Sequence, residues 1–75
     1  MKYFKDQEFI TQFGQRLRTI RLSKGVSQEE LAGRTGFELS QIGRIERGVV
    51  NTSISHVSAI AKALKIEPEE LFKKK

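Results

Sequence analysis

Cysteine is absent from this 75-residue chain, so neither a disulfide nor a thiolate-held zinc can support its fold. Stability has to come from packing alone. There is one proline, Pro68, and no proline-rich linker, internal repeat or low-complexity segment. There is one histidine, His56. A single imidazole without cysteines or neighbouring carboxylates is no metal site, so His56 is expected to be an ordinary exposed helix residue and no metal is expected. No apolar run approaches the roughly 20 residues that span a bilayer, and nothing has the form of a signal peptide. No membrane partner is expected, and a reducing cytoplasm is the expected location. The nucleophile candidates are serines and threonines, and His56 has no acid at a diagnostic spacing. A chain this short also leaves little room for a deep pocket. No enzyme activity, cofactor or small-molecule ligand is therefore expected.

The length allows one domain, residues 1–75, with a small core best built from helices in local contact. Hydrophobic residues make up 37%, enough for a globular fold. Fourteen Lys and Arg face nine Asp and Glu, for a net charge of +5 and a pI near 9.9. A small basic domain associates with polyanions. Three of those charges are Lys73, Lys74 and Lys75, which also fit a solvated tail.

The most informative stretch is SQEELAGRTGFELSQIGRIER, residues 27–47. Ser27 and Glu30 form an S-x-x-E capping box that starts a helix at Gln28. Leu31 and Ala32 give it an apolar face. Gly36 follows, where a helix C-terminus needs a residue that tolerates positive φ. A second helix then carries Ile42 and Ile45 inward. Counted from Gln28, small Ala32, Gly36 and the two isoleucines have the spacing of a helix-turn-helix over residues 28–47. The second helix of such a pair can lie in a DNA major groove.

Four apolar residues of the first helix, Ile10, Phe13, Leu17 and Ile20, recur three or four apart between a cap at Asp6 and a stop at Gly25. Helix two is expected over about 28–34 and helix three over about 38–47, closed by Gly48. Ser53 or Thr52 caps a fourth helix whose inward positions are Ile54, Val57, Ile60, Ala61 and Leu64. Pro68 opens a last short helix carrying Leu71 and Phe72, since the first helical position needs no N–H. The expected fold is all-α, a five-helix bundle.

The words GQRLRTIRLSKGVSQEELAGRTG, IGRIERG and ISHVSAIAKALKIEPEELF, in this order and spacing, resemble the phage-repressor helix-turn-helix domain. This is the lambda-repressor and Cro family, also called the xenobiotic-response-element family. The resemblance covers roughly residues 14–72. It implies a lambda repressor-like DNA-binding domain that acts on operator DNA as a homodimer. Two features depart from the family. The loop after helix three, Val49-Val50-Asn51-Thr52, lacks the basic or proline residues often found there. Phe4 and Phe9 lie in an N-terminal extension that the motif does not explain.

Carried over by position, the base readers are Leu39, Ser40 and Arg44, with Glu38 and Gly43 beside them. Arg44 can pair bidentately with a guanine, and Leu39 can meet a thymine methyl. Glu38 is expected to cap the helix rather than face phosphates. Gly43 costs about 1 kcal/mol in mid-helix relative to alanine, which close approach to the DNA backbone would offset. Gln28, at a helix N-terminus, is the main backbone contact. Gln41, Arg47 and Asn51 join it by family position, and Arg16 and Arg18 can reach phosphate from helix one. The family also pairs an arginine with a glutamate at Arg21 and Glu46, which implies a partly buried ion pair that orients the recognition helix. Ile66, Leu71 and Phe72 flank a helix too short to bury all three, so they are the expected dimer interface.

The expected function is a sequence-specific, double-stranded-DNA-binding transcriptional regulator, a repressor acting as a homodimer on a palindromic operator. The alternative is a protein-interaction module on the same fold, as in an antitoxin or co-regulator.

Overall fold

A computed structural model describes residues 4–73, so Lys74 and Lys75 of the basic tail lie outside the described residues. Helix α1 spans Gln7–Ser23, α2 Gln28–Thr35, α3 Leu39–Glu46 and α4 Ile54–Leu64. Pro68–Phe72 forms a 3-10 helix. The expected bundle of five helices is thus corrected to four α-helices and one 3-10 turn, with no strand among the described residues. The physical reason is length. Five residues close only i→i+3 bonds such as Glu70 N–H to Glu67 O, too few to propagate an α-helix.

Each start and stop follows from a nearby side chain. The Asp6 carboxylate accepts from Phe9 N–H at 3.0 Å to open α1. Both halves of the Ser27–Glu30 capping box form, each at 3.0 Å. The Ser53 hydroxyl accepts from His56 N–H to open α4. Gly36 ends α2 at φ 80, a left-handed conformation that costs a residue without Cβ nothing. The end of α4 is less economical, because Lys65 takes up the same region at φ 58.

One core joins all five segments. Leu17, Leu31, Ile42, Ile45, Ile60, Leu64 and Leu71 are fully buried. Val26 joins them, and the sequence reading had passed it over. It precedes the α2 cap and shares the core with Leu31 five residues on, which is the spacing of a hydrophobic staple. Phe37, in the turn between α2 and α3, packs against the same core.

Two expectations about α4 are corrected. Ile54, placed inward by periodicity, is 88% exposed, because among the described residues no element covers the first turn of α4. His56 is half-buried rather than exposed, with its ring edge-on to Phe37 at 4.7 Å between centroids.

Candidate nucleic-acid interface

The turn between α2 and α3 is held from inside. Thr35 Oγ1 donates to the Leu31 carbonyl at 2.9 Å and accepts from Phe37 N–H at 3.2 Å. Ile42 and Ile45 then pin α3 to the core, so its opposite side is turned to solvent. Leu39 (45% exposed), Ser40, Arg44 and Arg47 lie along that outer side. This is a short row of one apolar, one hydroxyl and two guanidinium groups on a rigid rod. Such a row can offer a methyl contact, a small donor and forked donors to the edges of base pairs.

The brace behind this row is an ion pair. Arg21 Nε donates to Glu46 Oε2 at 2.6 Å, and Arg21 Nη2 donates to Glu46 Oε1 at 3.0 Å. The third guanidinium nitrogen, Nη1, donates to the Val26 carbonyl at 2.8 Å. Both side chains are buried. The Glu46 hydrogen bond holds the Arg21 guanidinium above its ordinary pKa, against a smaller opposing push from burial. The last residue of α3 is thereby locked to α1 and to the entry of α2.

Gln28 completes the network. Its Nε2 donates to Glu46 Oε1 at 3.0 Å, and the side chain is half-buried. The amide that spacing offers to phosphate therefore has an internal task, leaving the backbone N–H groups of the α2 N-terminus to face an anion. Glu30 beside it is held below its ordinary pKa, chiefly by the Ser27 backbone N–H.

Other assigned residues fall in different places. Glu38 occupies the N-cap of α3 with an extended backbone, but its side chain makes no capping bond; the expected cap is corrected to a position without the interaction. Gly43 is buried, and a Cβ there would sit 3.0 Å from Arg47 Nη1. The missing methyl is thus filled by the arginine of the next turn, folded back along α3. Gln41 is half-buried, while Asn51 in the loop and Arg18 on α1 are exposed. Arg16 is drawn elsewhere: its Nε donates to the Glu70 carbonyl at 3.0 Å, tying α1 to the C-terminal turn.

The C-terminal trio divides. Leu71 is wholly buried and Ile66 is half-buried against the core. Phe72 is 43% exposed but stacks on Phe9 at 5.7 Å and leans on Phe13 at 5.3 Å. The segment does not bury all three, as expected of its length, but Leu71 itself is sealed, because α1 and α4 both pack against this turn. Phe9 is explained by the same stack, whereas Phe4 remains exposed.

Two positioning residues escaped the sequence reading. Gln7 Nε2 donates to the Gly48 carbonyl at 2.8 Å, joining the start of α1 to the loop after α3. Gly14, inside α1, lies directly against the α3 C-terminus, where a Cβ would fall 2.6 Å from the Glu46 carbonyl oxygen. A glycine between Phe13 and Leu17 on the inward side of an amphipathic helix was the available signal.

Residues 17–71 match the helix-turn-helix family. The chain belongs to that family. Among relatives, this helix-turn-helix domain is 45% identical over 61 residues to the control protein C.BamHI of Bacillus amyloliquefaciens, covering 80% of this chain and 75% of that one. The restriction-modification controller protein C.AhdI from Aeromonas hydrophila superposes with a TM-score of 0.82 at 49% identity, over 84% of this chain and 96% of that one. A second controller protein, C.Esp1396I, matches at 0.79 and 30% identity over 85% and 84%. The phage-repressor kinship read from the sequence words stands, and DNA binding in transcription regulation is the business of the family. No α-helix of the helix-turn-helix domain is long and apolar enough to cross a membrane, and no group of potential metal ligands occurs among the described residues.

Proposed function

We propose that this domain is a sequence-specific, double-stranded-DNA-binding transcriptional repressor that acts as a homodimer on a palindromic operator. The observation that carries the reading is the outward row Leu39, Ser40, Arg44 on a helix whose end is locked by the buried Arg21–Glu46 pair. A reading head needs exposed, chemically varied side chains on a support that does not shift, and the row has both. The basic net charge of +5 supplies attraction to phosphate. Arg44 is the principal base reader in this reading, with Leu39 and Ser40 at its N-terminal side, Gly43 leaving room for the Arg47 guanidinium, and Glu38 at the edge. Arg47, Asn51, Gln41 and the α2 N-terminus at Gln28 hold the DNA backbone, and Arg18 adds to the field.

Homodimerisation follows from size. One eight-residue recognition helix contacts only a few base pairs, too few to select a site in a genome, and pairing doubles the contacts. Repression requires only occupancy, since a protein seated on an operator excludes polymerase from overlapping DNA. The likeness to control proteins of restriction–modification systems favours the promoter of such a system as the target.

The test is selection of bound sequences from a random duplex pool, followed by gel shifts at low and moderate salt. The expected result is a palindromic consensus with half-site centres about 34 Å apart and affinity that falls steeply with salt. Failure to retain any duplex at low salt would instead support the interaction-module reading, for which the exposed Leu22 and Leu39 are among the available apolar contacts.

A further inference from the structure

No lysine or arginine lies between Arg47 and Lys62, so the loop after α3 and most of α4 offer phosphate no permanent positive charge. The residues that open α3, Leu39 to Gly43, carry none either. Yet the N-terminal residues of a recognition helix are the ones that meet base edges, and Arg47 stands at the opposite end, as the C-cap of α3.

Gly43 lies one turn before Arg47, on the same row of the helix. It is buried, although its helix turns exposed side chains outward on either side of it. Beyond its chain neighbours and the backbone of α3, the atoms nearest to a Cβ placed there are Arg47 Nη1 at 3.0 Å and Arg47 Cζ at 3.9 Å. The guanidinium therefore rests over the bare Cα, about one helical turn, or roughly 5.4 Å, toward the reading end from its own backbone. Helix geometry favours this lean, since side chains tilt toward the N-terminus and onto the turn before them.

We propose that Gly43 is a positioning residue, whose missing side chain lets the Arg47 guanidinium lie back along α3 and grip a backbone phosphate there. The proposal rests on the DNA-binding reading and gives Gly43 a role through Arg47 rather than a contact of its own. Close approach of DNA to the glycine is the less suitable account, because a buried Gly43 presents the duplex with the arginine that covers it. A methyl group at position 43 would press on Nη1, so the guanidinium has to move off the helix. No cation follows before Lys62 to replace it on this flank. Glycine disfavours the helix interior relative to alanine, so fold stability and grip on DNA pull in opposite directions at this position.

The experiment is a double-mutant cycle on the full chain, with wild type, Gly43→Ala, Arg47→Ala and the double variant. Each is measured for urea unfolding and for affinity to duplex DNA over a range of salt. The atom in the way is the far end of a flexible side chain, so Gly43→Ala should unfold at or above the wild-type midpoint. It should nonetheless bind DNA about tenfold more weakly, the worth of one charge-assisted hydrogen bond. Its log affinity should also fall less steeply with log salt, as that of Arg47→Ala does. In the Arg47→Ala background, Gly43→Ala should change affinity by less than about twofold. A full further loss in that background would show that DNA meets the glycine itself, and would overturn the positioning role. A Gly43→Ala protein that binds like wild type at every salt would overturn it as well, while leaving the DNA-binding reading intact. A wild type that retains no duplex at low salt would overturn that reading and this role with it.

Discussion

Gly14 and Glu46 lie so close that the backbone of α1 and the carbonyl end of α3 leave no space for a side chain between them. A Cβ on Gly14 would come within 2.6 Å of the Glu46 carbonyl oxygen and closer still to that of Ile45. Both obstacles are backbone atoms, so neither can rotate away.

Gly14→Ala is therefore expected to destabilise the fold, although alanine is the better helix former by about 1 kcal/mol. Overpacking of this kind costs about 1 to 3 kcal/mol, and the recognition helix would be displaced with it. Urea unfolding checks the stability, and a Gly14→Ala midpoint at or above wild type would show that the helices separate freely.

Arg21 and Glu46 form the second brace. Arg21→Ala leaves a buried carboxylate held only by Gln28, so a loss of about 3 to 5 kcal/mol is expected. Glu46→Ala should cost a similar amount, and the double variant much less than the sum. Additive losses in urea unfolding would mean that the bidentate pair carries no coupling.

Readout and support separate at Arg44 and Gln28. Arg44→Ala should lose about 1 to 3 kcal/mol on the selected site and relax preference at one base pair. Gln28→Ala keeps the backbone N–H groups of the α2 N-terminus, so it should leave the preference between selected and random duplexes unchanged and lower stability by about 1 kcal/mol through its lost bond to Glu46. Equal losses on both duplexes for Arg44→Ala would make Arg44 a phosphate contact.

Lys65 closes α4 in a left-handed conformation that suits glycine. Lys65→Gly should raise stability by about 1 kcal/mol, the relief of that conformation less the added freedom of the unfolded chain. A lowered urea midpoint would show that the lysine side chain contributes more than its backbone costs.

The capping box sets one acid response. Glu30 has its folded-state pKa lowered, so its contribution is complete above the ordinary glutamate range near pH 4.3 and fades as pH falls through the lowered value. Glu30→Gln keeps an acceptor without the charge. A Glu30→Gln protein whose stability falls with acid as steeply as wild type would show that other carboxylates set the slope.

Much of this domain is local and therefore legible in the chain itself. The Ser27–Glu30 capping box, the stop at Gly36, the caps at Asp6 and Ser53 and the inward isoleucines 42 and 45 depend on residues within one or two turns of each other. The family words carried the Arg21–Glu46 pairing across the gap between helices. What lies beyond the reach of periodicity is where the core ends. Ile54 and Leu71 both look like apolar positions of short helices, yet one stands in solvent and the other is sealed, because only the packing of α1 and α4 decides which has a roof. His56 moved indoors for the same reason, beside a Phe37 nineteen residues away. Arg16 and Gln28 were free cations and amides on a helical wheel, and became internal struts once Glu70 and Glu46 were brought to them. Sequence alone determined the four α-helices and their caps, since these rest on short-range geometry, while the expected DNA-reading face came from the family resemblance. Tertiary structure alone decided which polar groups remain available for DNA and which apolar edge is left uncovered, since hydrogen-bond partners and burial are properties of the assembled chain.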